Sequence, residues 1–118
     1  MSSHDRDLSV IRHISDYCDQ IEEALEEYGR DKETFMRRKV FRNAVALCIL
    51  QIGELVGHLS DEFRSGHSEI PWKQVKQMRN IVAHNYGKLD IDDTWKTVTD
   101  DIPTLKAFCA GILDAAHD

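Results

Sequence analysis

The chain of 118 residues is poor in residues that break regular structure, with only two prolines and six glycines. This scarcity argues against a disordered or fibrous chain and against a turn-rich β-sandwich. No apolar run approaches the roughly 20 residues that a membrane helix needs. The first residues, 1–7, hold no basic segment followed by an apolar one, so we expect no secretory signal. We therefore expect one cytoplasmic domain over residues 1–118 that does not bind a membrane.

An excess of positive charge is also missing. Lysine and arginine number 15 against 21 acidic residues, which gives a net charge of −6. That balance argues against general coating of DNA, because nonspecific duplex binding depends on many basic contacts to phosphates. A local basic site is still compatible with it, and Lys73, Lys76 and Arg79 form one basic cluster.

The sequence lacks the patterns of cysteine and histidine that mark metal sites. Three cysteines, Cys18, Cys48 and Cys109, include no Cys-x-x-Cys pair and lie in apolar stripes, so we expect reduced core thiols. His58 and His67 flank a polar segment, but no His-x3-His or Glu-x-x-His pattern accompanies them. The sequence therefore predicts no metal and no cofactor.

Two long segments carry apolar residues at steps of three and four, which is the period of an amphipathic helix. The first runs over residues 8–28 and is followed by Gly29, a residue that suits the end of a helix. The second follows Asp31, which can cap a helix, and its apolar stripe continues over residues 41–59. Its middle is apolar almost all round, so we expect this helix at the centre of the fold.

The second half of the chain continues the helical pattern. Residues 60–70 are predicted to be a loop, and Pro71 suits the first position of a third helix. A fourth stripe covers residues 95–116 and keeps its register across Pro103, where we expect a kink or a short break. No strand pattern competes. The sequence thus predicts an all-α protein, an up-and-down bundle of four to five helices.

Chemically useful side chains gather near the end of the third helix. Arg79, His84 and Tyr86 lie within eight residues. An arginine can clamp a phosphate, and a histidine can carry a proton near neutral pH. Cleavage of RNA without a metal needs those two roles, because the RNA supplies its own nucleophile, the 2′-hydroxyl. The residue types alone fit equally well an exposed arginine and a histidine stabilised by the end of the helix dipole.

The pattern Arg79-Asn80-x3-His84-x-Tyr86 resembles the signature of HEPN-domain proteins, and specifically of their HepT-like toxin branch. The surrounding sequence is similar as well, over about residues 8–113. The segments that carry this similarity are Gln-Ile-Gly-Glu at 51–54, Glu-Ile-Pro-Trp at 69–72 and Asp-Ile-Pro-x-Leu at 101–105.

The resemblance implies a HEPN-like fold and the toxin of a toxin–antitoxin module of type II or VII. It implies a metal-independent endoribonuclease with Arg79 and His84 as the catalytic pair and Asn80 as a supporting residue. The substrate would be RNA, with tRNA suggested by analogy. The partner would be a minimal nucleotidyltransferase (MNT) antitoxin, which neutralises the toxin by transferring AMP from ATP to Tyr86.

Arg79 and His84 differ by about 140° around an ideal helix, so one straight helix does not aim both at one point. The last turn can unwind, the arginine stem can wrap round, or two chains can pool their motifs. We expect a homodimer, together with some distortion of the last turn.

Glu54 is a further candidate, because a carboxylate in an apolar stretch needs a partner. It supports the site by orienting Arg79 or His84, or else it forms a structural salt bridge or lies exposed. An alternative to the ribonuclease function is also compatible with the sequence. In it, the chain is a non-catalytic helical module that partners an MNT-type nucleotidyltransferase and presents nucleotide or substrate to it.

Overall fold

The computed structural model describes the backbone of residues 2–85 and 91–116, and the side chains of residues 2–80 and 91–116. This part of the chain is helical and contains no strand, which confirms the predicted all-α class. None of its helices is long and apolar enough to cross a membrane. The helices are α1 (Ser3–Tyr28), α2 (Lys32–Arg37), α3 (Lys39–Val56), α4 (Asp61–Gly66), α5 (Trp72–Asn85), α6 (Ile91–Lys96) and α7 (Ile102–Ala116), and a π-helical turn (Thr97–Asp101) joins the last two.

The apolar face of α3 lies at the centre of the bundle. It packs against α1 on one side and α5 on the other, and α7 packs against α1. Burial of these apolar stripes removes their side chains from water and provides the main driving force for the fold. The largest fully buried side chains come from several helices: Ile11, Ile14, Ile21, Phe35, Phe41, Ile52 and Ile102.

The three cysteines are core thiols, as expected, and none forms a disulfide. Burial raises the pKa of Cys18 and of Cys109 to about 12 and that of Cys48 to about 11, because a thiolate is poorly solvated in the core. These side chains therefore contribute packing and stay protonated at neutral pH.

The ends of the first helix follow the predicted signals. Gly29 has a φ of 109°, a region that L side chains rarely adopt, and its N–H donates to the carbonyl of Leu25 at 2.9 Å. Asp31 caps α2, since its Oδ1 accepts a hydrogen bond from the Thr34 N–H at 2.8 Å.

The sequence prediction missed two short helices, α2 and α4. The single helix expected after Asp31 is divided at Arg38, which has extended backbone angles, and the Arg42 guanidinium stabilises this bend by donating to the Phe35 carbonyl at 3.1 Å. Residues 60–70, expected to be a loop, contain α4, because the Ser60 hydroxyl accepts from the Phe63 N–H at 3.1 Å and caps the helix.

Helices α6 and α7 are joined without a break near Pro103. Pro103 has no N–H for the carbonyl of Thr99, and the backbone adapts by widening to a π turn in which the Ile102 N–H donates to Thr97. The Thr104 hydroxyl donates to the Asp100 carbonyl at 3.1 Å. The predicted disturbance at Pro103 therefore takes the form of a π turn just before it.

Helix α5 begins directly after Pro71, whose carbonyl accepts from the Val75 N–H at 3.1 Å. The Trp72 indole anchors this end by donating to the His67 carbonyl at 3.0 Å. No glycine or proline follows within the helix, and it remains helical to Asn85. The distortion expected in the last turn falls near Gly87, which lies outside the described residues.

Candidate active site

Arg79 lies where α5 crosses closely over α3. The buried Gly53 is directly opposite, and a Cβ added there would lie 2.1 Å from the Arg79 Cβ and 3.2 Å from its Cα. One turn further along α3, a Cβ added at Gly57 would lie 3.8 Å from the Cε of Lys76. Because the two glycines have no side chains, the helices approach each other and two basic residues of α5 lie over α3.

The Arg79 guanidinium is held by two neighbours. Its Nε lies 2.5 Å from the Oε1 of Glu54, and its Nη1 donates to the Oδ1 of Asn80 at 3.0 Å. Among the described residues, the buried Nε has no hydrogen-bond partner in suitable geometry, so the contact with Glu54 is ionic rather than a directed hydrogen bond. The two contacts fix the guanidinium, whose remaining donors can bind an anion.

An open pocket of about 210 Å³ lies beside this pair. Two cationic side chains and one carboxylate face it, so its charge is positive by one when His58 is neutral. Nowhere in the described part of the chain do three or more His, Cys, Asp or Glu side chains form a group that could hold a metal. The pocket is lined by Gly53, Glu54, Gly57, His58, Lys76 and Arg79.

The predicted site residues are brought together in part. Arg79 contacts both Glu54 and Asn80, and the Glu54 carboxylate, whose side chain is 47% exposed, forms a salt bridge with the arginine, so its role in orienting Arg79 stays a prediction. His84 belongs to α5, and its side chain is outside the described residues. Tyr86 lies wholly outside them. The backbone is helical from position 79 to position 84, so the positions of Arg79 and His84 are about 140° apart around the helix axis.

Sequence reasoning missed three residues of the pocket. Gly53 and Gly57 were not assigned a role, and His58 was considered only as a metal ligand. The spacing of four between the glycines was the available signal, because it places Gly57, the residue at the end of α3, on the same face as Gly53. Its meaning depends on α5, which crosses that face with Lys76 and Arg79.

Comparison with known proteins gives this site a context. The model of the family described as "Ribonuclease HepT-like" matches residues 14–112. A protein of Thermococcus cleftensis named "Probable ribonuclease HepT" is 37% identical over 100 residues, which cover 80% of this chain and 91% of the relative.

A second relative is longer. The Methanocaldococcus jannaschii protein named "Gamma-glutamylcyclotransferase and putative RNase" is 41% identical over 86 residues. The match covers 71% of this chain but only 39% of that relative, so this chain spans well under half of its length. No solved structure matches the chain significantly. The family match extends over most of the chain and includes both α3 and α5, and the protein therefore belongs to the HepT-like ribonuclease family.

Proposed function

We propose that this protein is the toxin of a toxin–antitoxin module and a metal-independent endoribonuclease. The observation that carries the proposal is the Arg79 guanidinium, held by Glu54 and Asn80 at the edge of a positively charged pocket. A fixed guanidinium suits a phosphate, because its planar donors match the phosphate oxygens and its charge persists at any physiological pH.

In the proposed reaction the RNA 2′-hydroxyl attacks the adjacent phosphorus and the bond to the 5′-oxygen breaks. The products are a 2′,3′-cyclic phosphate and a 5′-hydroxyl. Arg79 binds the scissile phosphate and stabilises the negative charge that accumulates on its oxygens. His84 moves the proton, since an imidazole gains and loses protons near neutral pH whereas a guanidinium stays charged.

The proposed active form is a homodimer in which two motifs share one cleft. An exposed stripe on α3 supports this arrangement. Val40 is 59% exposed and Leu47 is 56% exposed, and they lie seven residues apart on one face of the helix. A further step of seven reaches Glu54, so the stripe leads to the site. A two-fold contact between copies of α3 would bury the stripe and bring two sites near each other.

The proposed partner is a minimal nucleotidyltransferase antitoxin encoded beside this protein and acting in the cytoplasm. The Tyr86 hydroxyl would attack the α-phosphate of ATP, form a phosphodiester with AMP and release pyrophosphate. The added group carries negative charge and occupies space two residues beyond His84. It would therefore exclude an RNA phosphate by repulsion and by occupancy.

Cleavage of RNA by the purified protein tests the catalytic proposal. Wild-type protein is incubated with tRNA in the presence of a chelator, and product ends are identified by mass spectrometry. We expect 2′,3′-cyclic phosphate ends, and no cleavage by His84→Ala protein of unchanged melting temperature. Cleavage that persists in this variant would overturn the mechanism. Wild-type protein that binds the nucleotidyltransferase or ATP but never cuts RNA would instead favour the non-catalytic module.

Neutralisation is tested separately, by the intact mass of the protein produced with and without the neighbouring nucleotidyltransferase. We expect a gain of one or more AMP units, located on Tyr86 by peptide mapping, only in its presence. An unchanged mass would leave the ribonuclease mechanism standing and would refute AMP transfer.

A further inference from the structure

We propose that Lys76, His58 and Gly57 line a second phosphate subsite, which binds the RNA phosphate next to the one held by Arg79. The inference rests on the proposed ribonuclease function and adds residues outside the Arg-His-Tyr motif. All three line the pocket beside Arg79.

Lys76 is a cation that has no charged partner among the residues whose side chains the structure describes. No carboxylate of the described residues lies within ion-pair distance of it, whereas Lys32 is paired with Asp92 and Lys106 with Asp19. The nearby Glu54 already contacts Arg79, which reduces its repulsion of an anion. The ammonium group therefore offers its donors to the open pocket.

Gly57 borders the pocket and lets the Lys76 side chain lie close to the end of α3, and it does not supply an unusual backbone. Its φ of −64° and ψ of −17° are open to any residue, so a glycine is not needed for conformation. Its missing side chain leaves the Lys76 Nζ 3.9 Å from the position a Cβ would occupy. His58 is the next residue and is exposed, and its ring can donate a hydrogen bond in either protonation state.

The spacing of the two cations suits a nucleic-acid backbone. Lys76 and Arg79 are three residues apart on α5, a rise of about 4.5 Å along the helix axis, and they lie on neighbouring turns of one face. Their long side chains can adjust to two successive phosphates. A single strand fits this geometry, because its phosphates follow one another along one chain.

The test is the salt dependence of RNA binding by full-length protein that carries His84→Ala, so that the RNA stays intact. Fluorescence anisotropy of a short labelled single-stranded RNA gives the binding constant at several salt concentrations. We expect Lys76→Met to weaken binding about five- to tenfold near 0.1 M salt and to reduce the slope of log K against log salt by about 0.7, the share of one phosphate contact. Lys76→Arg should restore the slope.

Matched variants separate the subsite from general charge and from folding. Lys73→Met removes the same charge one turn earlier on α5, outside the pocket, and equal slopes for it and Lys76→Met would overturn the subsite. Methionine keeps an apolar stem over Gly57, and the melting temperature of each variant checks that the fold is retained.

The outcomes also distinguish the subsite from the ribonuclease proposal. If the slope falls for Lys76→Met while protein with His84 intact cuts no RNA, the subsite stands and the catalytic proposal fails. If that protein cuts RNA and the slope is unchanged, the subsite is wrong and the catalytic proposal stands. A protein that binds no RNA at low salt overturns both.

Discussion

Gly53 and Arg79 are in backbone-to-side-chain contact across two helices: a Cβ at position 53 would lie 2.1 Å from the Arg79 Cβ. Real Cβ atoms do not approach that closely, so any side chain at Gly53 forces α5 away from α3. The same displacement would carry Arg79 away from Glu54, whose Oε1 now lies 2.5 Å from its Nε. The glycine thus determines both the packing of the bundle and the position of the proposed catalytic arginine.

Substitution Gly53→Ala should therefore lower the free energy of unfolding. Alanine is favoured over glycine inside a helix by about 1 kcal/mol, but overpacking at a rigid contact costs about 1–3 kcal/mol. We expect the clash to dominate, because a Cβ atom cannot rotate away, and urea unfolding measures the result. Gly111→Ala is the matched control: it also lies in a helix, no atom of the described residues lies within 4 Å of its added Cβ, and it should stabilise the protein. Equal stabilisation by both substitutions would contradict the close crossing.

Substitution Glu54→Gln should separate RNA binding from turnover. Removing the carboxylate takes a negative charge from the pocket, so RNA affinity should rise about two- to fivefold. Turnover should fall about ten- to a hundredfold, because Arg79 loses the contact that orients it. Stability should change by less than about 0.5 kcal/mol, since both side chains are more than a third exposed.

Single-turnover cleavage and RNA binding together measure this split. Glu23→Gln, the same change at an exposed position of α1, is the control and should leave both quantities unchanged. If affinity and turnover fall together in Glu54→Gln, the predicted separation of RNA binding from turnover is wrong, and the carboxylate supports the binding of RNA.

Local patterns in the sequence predicted the long helices and their caps. These features, which include the apolar stripe over residues 8–28, the glycine at 29 and the cap at Asp31, depend on interactions between residues close in the sequence. Contacts between distant segments could not be predicted in this way. Helix α4 depends on Ser60, whose N–H and hydroxyl donate to the buried carboxylate of Asp7 at 2.8 and 2.7 Å across 53 positions. The local sequence does not show that distant contact, whereas the Ser60 cap is a local signal that the loop prediction missed.

The candidate site shows the same division. The Arg-His-Tyr motif is contiguous, and its resemblance to a known family identified it from the sequence. The partner of Arg79 stayed open, because the choice among alternatives for Glu54 depends on how α5 crosses α3. Gly53 and Gly57 allow α5 to approach α3 closely. Their spacing is visible in the sequence, but it does not show which helix packs against them.

Mixing two inactive variants tests whether the active site is shared between chains. If each of the two sites in the shared cleft takes Arg79 from one chain and His84 from the other, a heterodimer of Arg79→Ala and His84→Ala protein holds one intact site and one doubly altered site. Random exchange makes half of the dimers mixed, so cleavage should return to about a quarter of the wild-type rate. Exchange is achieved by unfolding and refolding the mixture. Each variant refolded alone is the control, and no recovery despite proven heterodimers would show that one chain supplies both residues.

The buried thiols make stability dependent on alkaline pH. The pKa of Cys18 is about 12 in the folded protein against 9.0 for a free thiol, because burial disfavours the thiolate. Above pH 9 the unfolded chain loses this proton while the folded chain keeps it, so unfolding releases a proton and stability falls as pH rises; below pH 9 the effect vanishes. Urea unfolding at several pH values should show this decline, with Cys18 contributing at most about 1.4 kcal/mol per pH unit.

Cys18→Ala should be less stable at pH 7, because it leaves a cavity in the core, but its decline above pH 9 should be shallower. Identical slopes for the two proteins would show that the Cys18 thiol ionises as readily in the folded as in the unfolded chain.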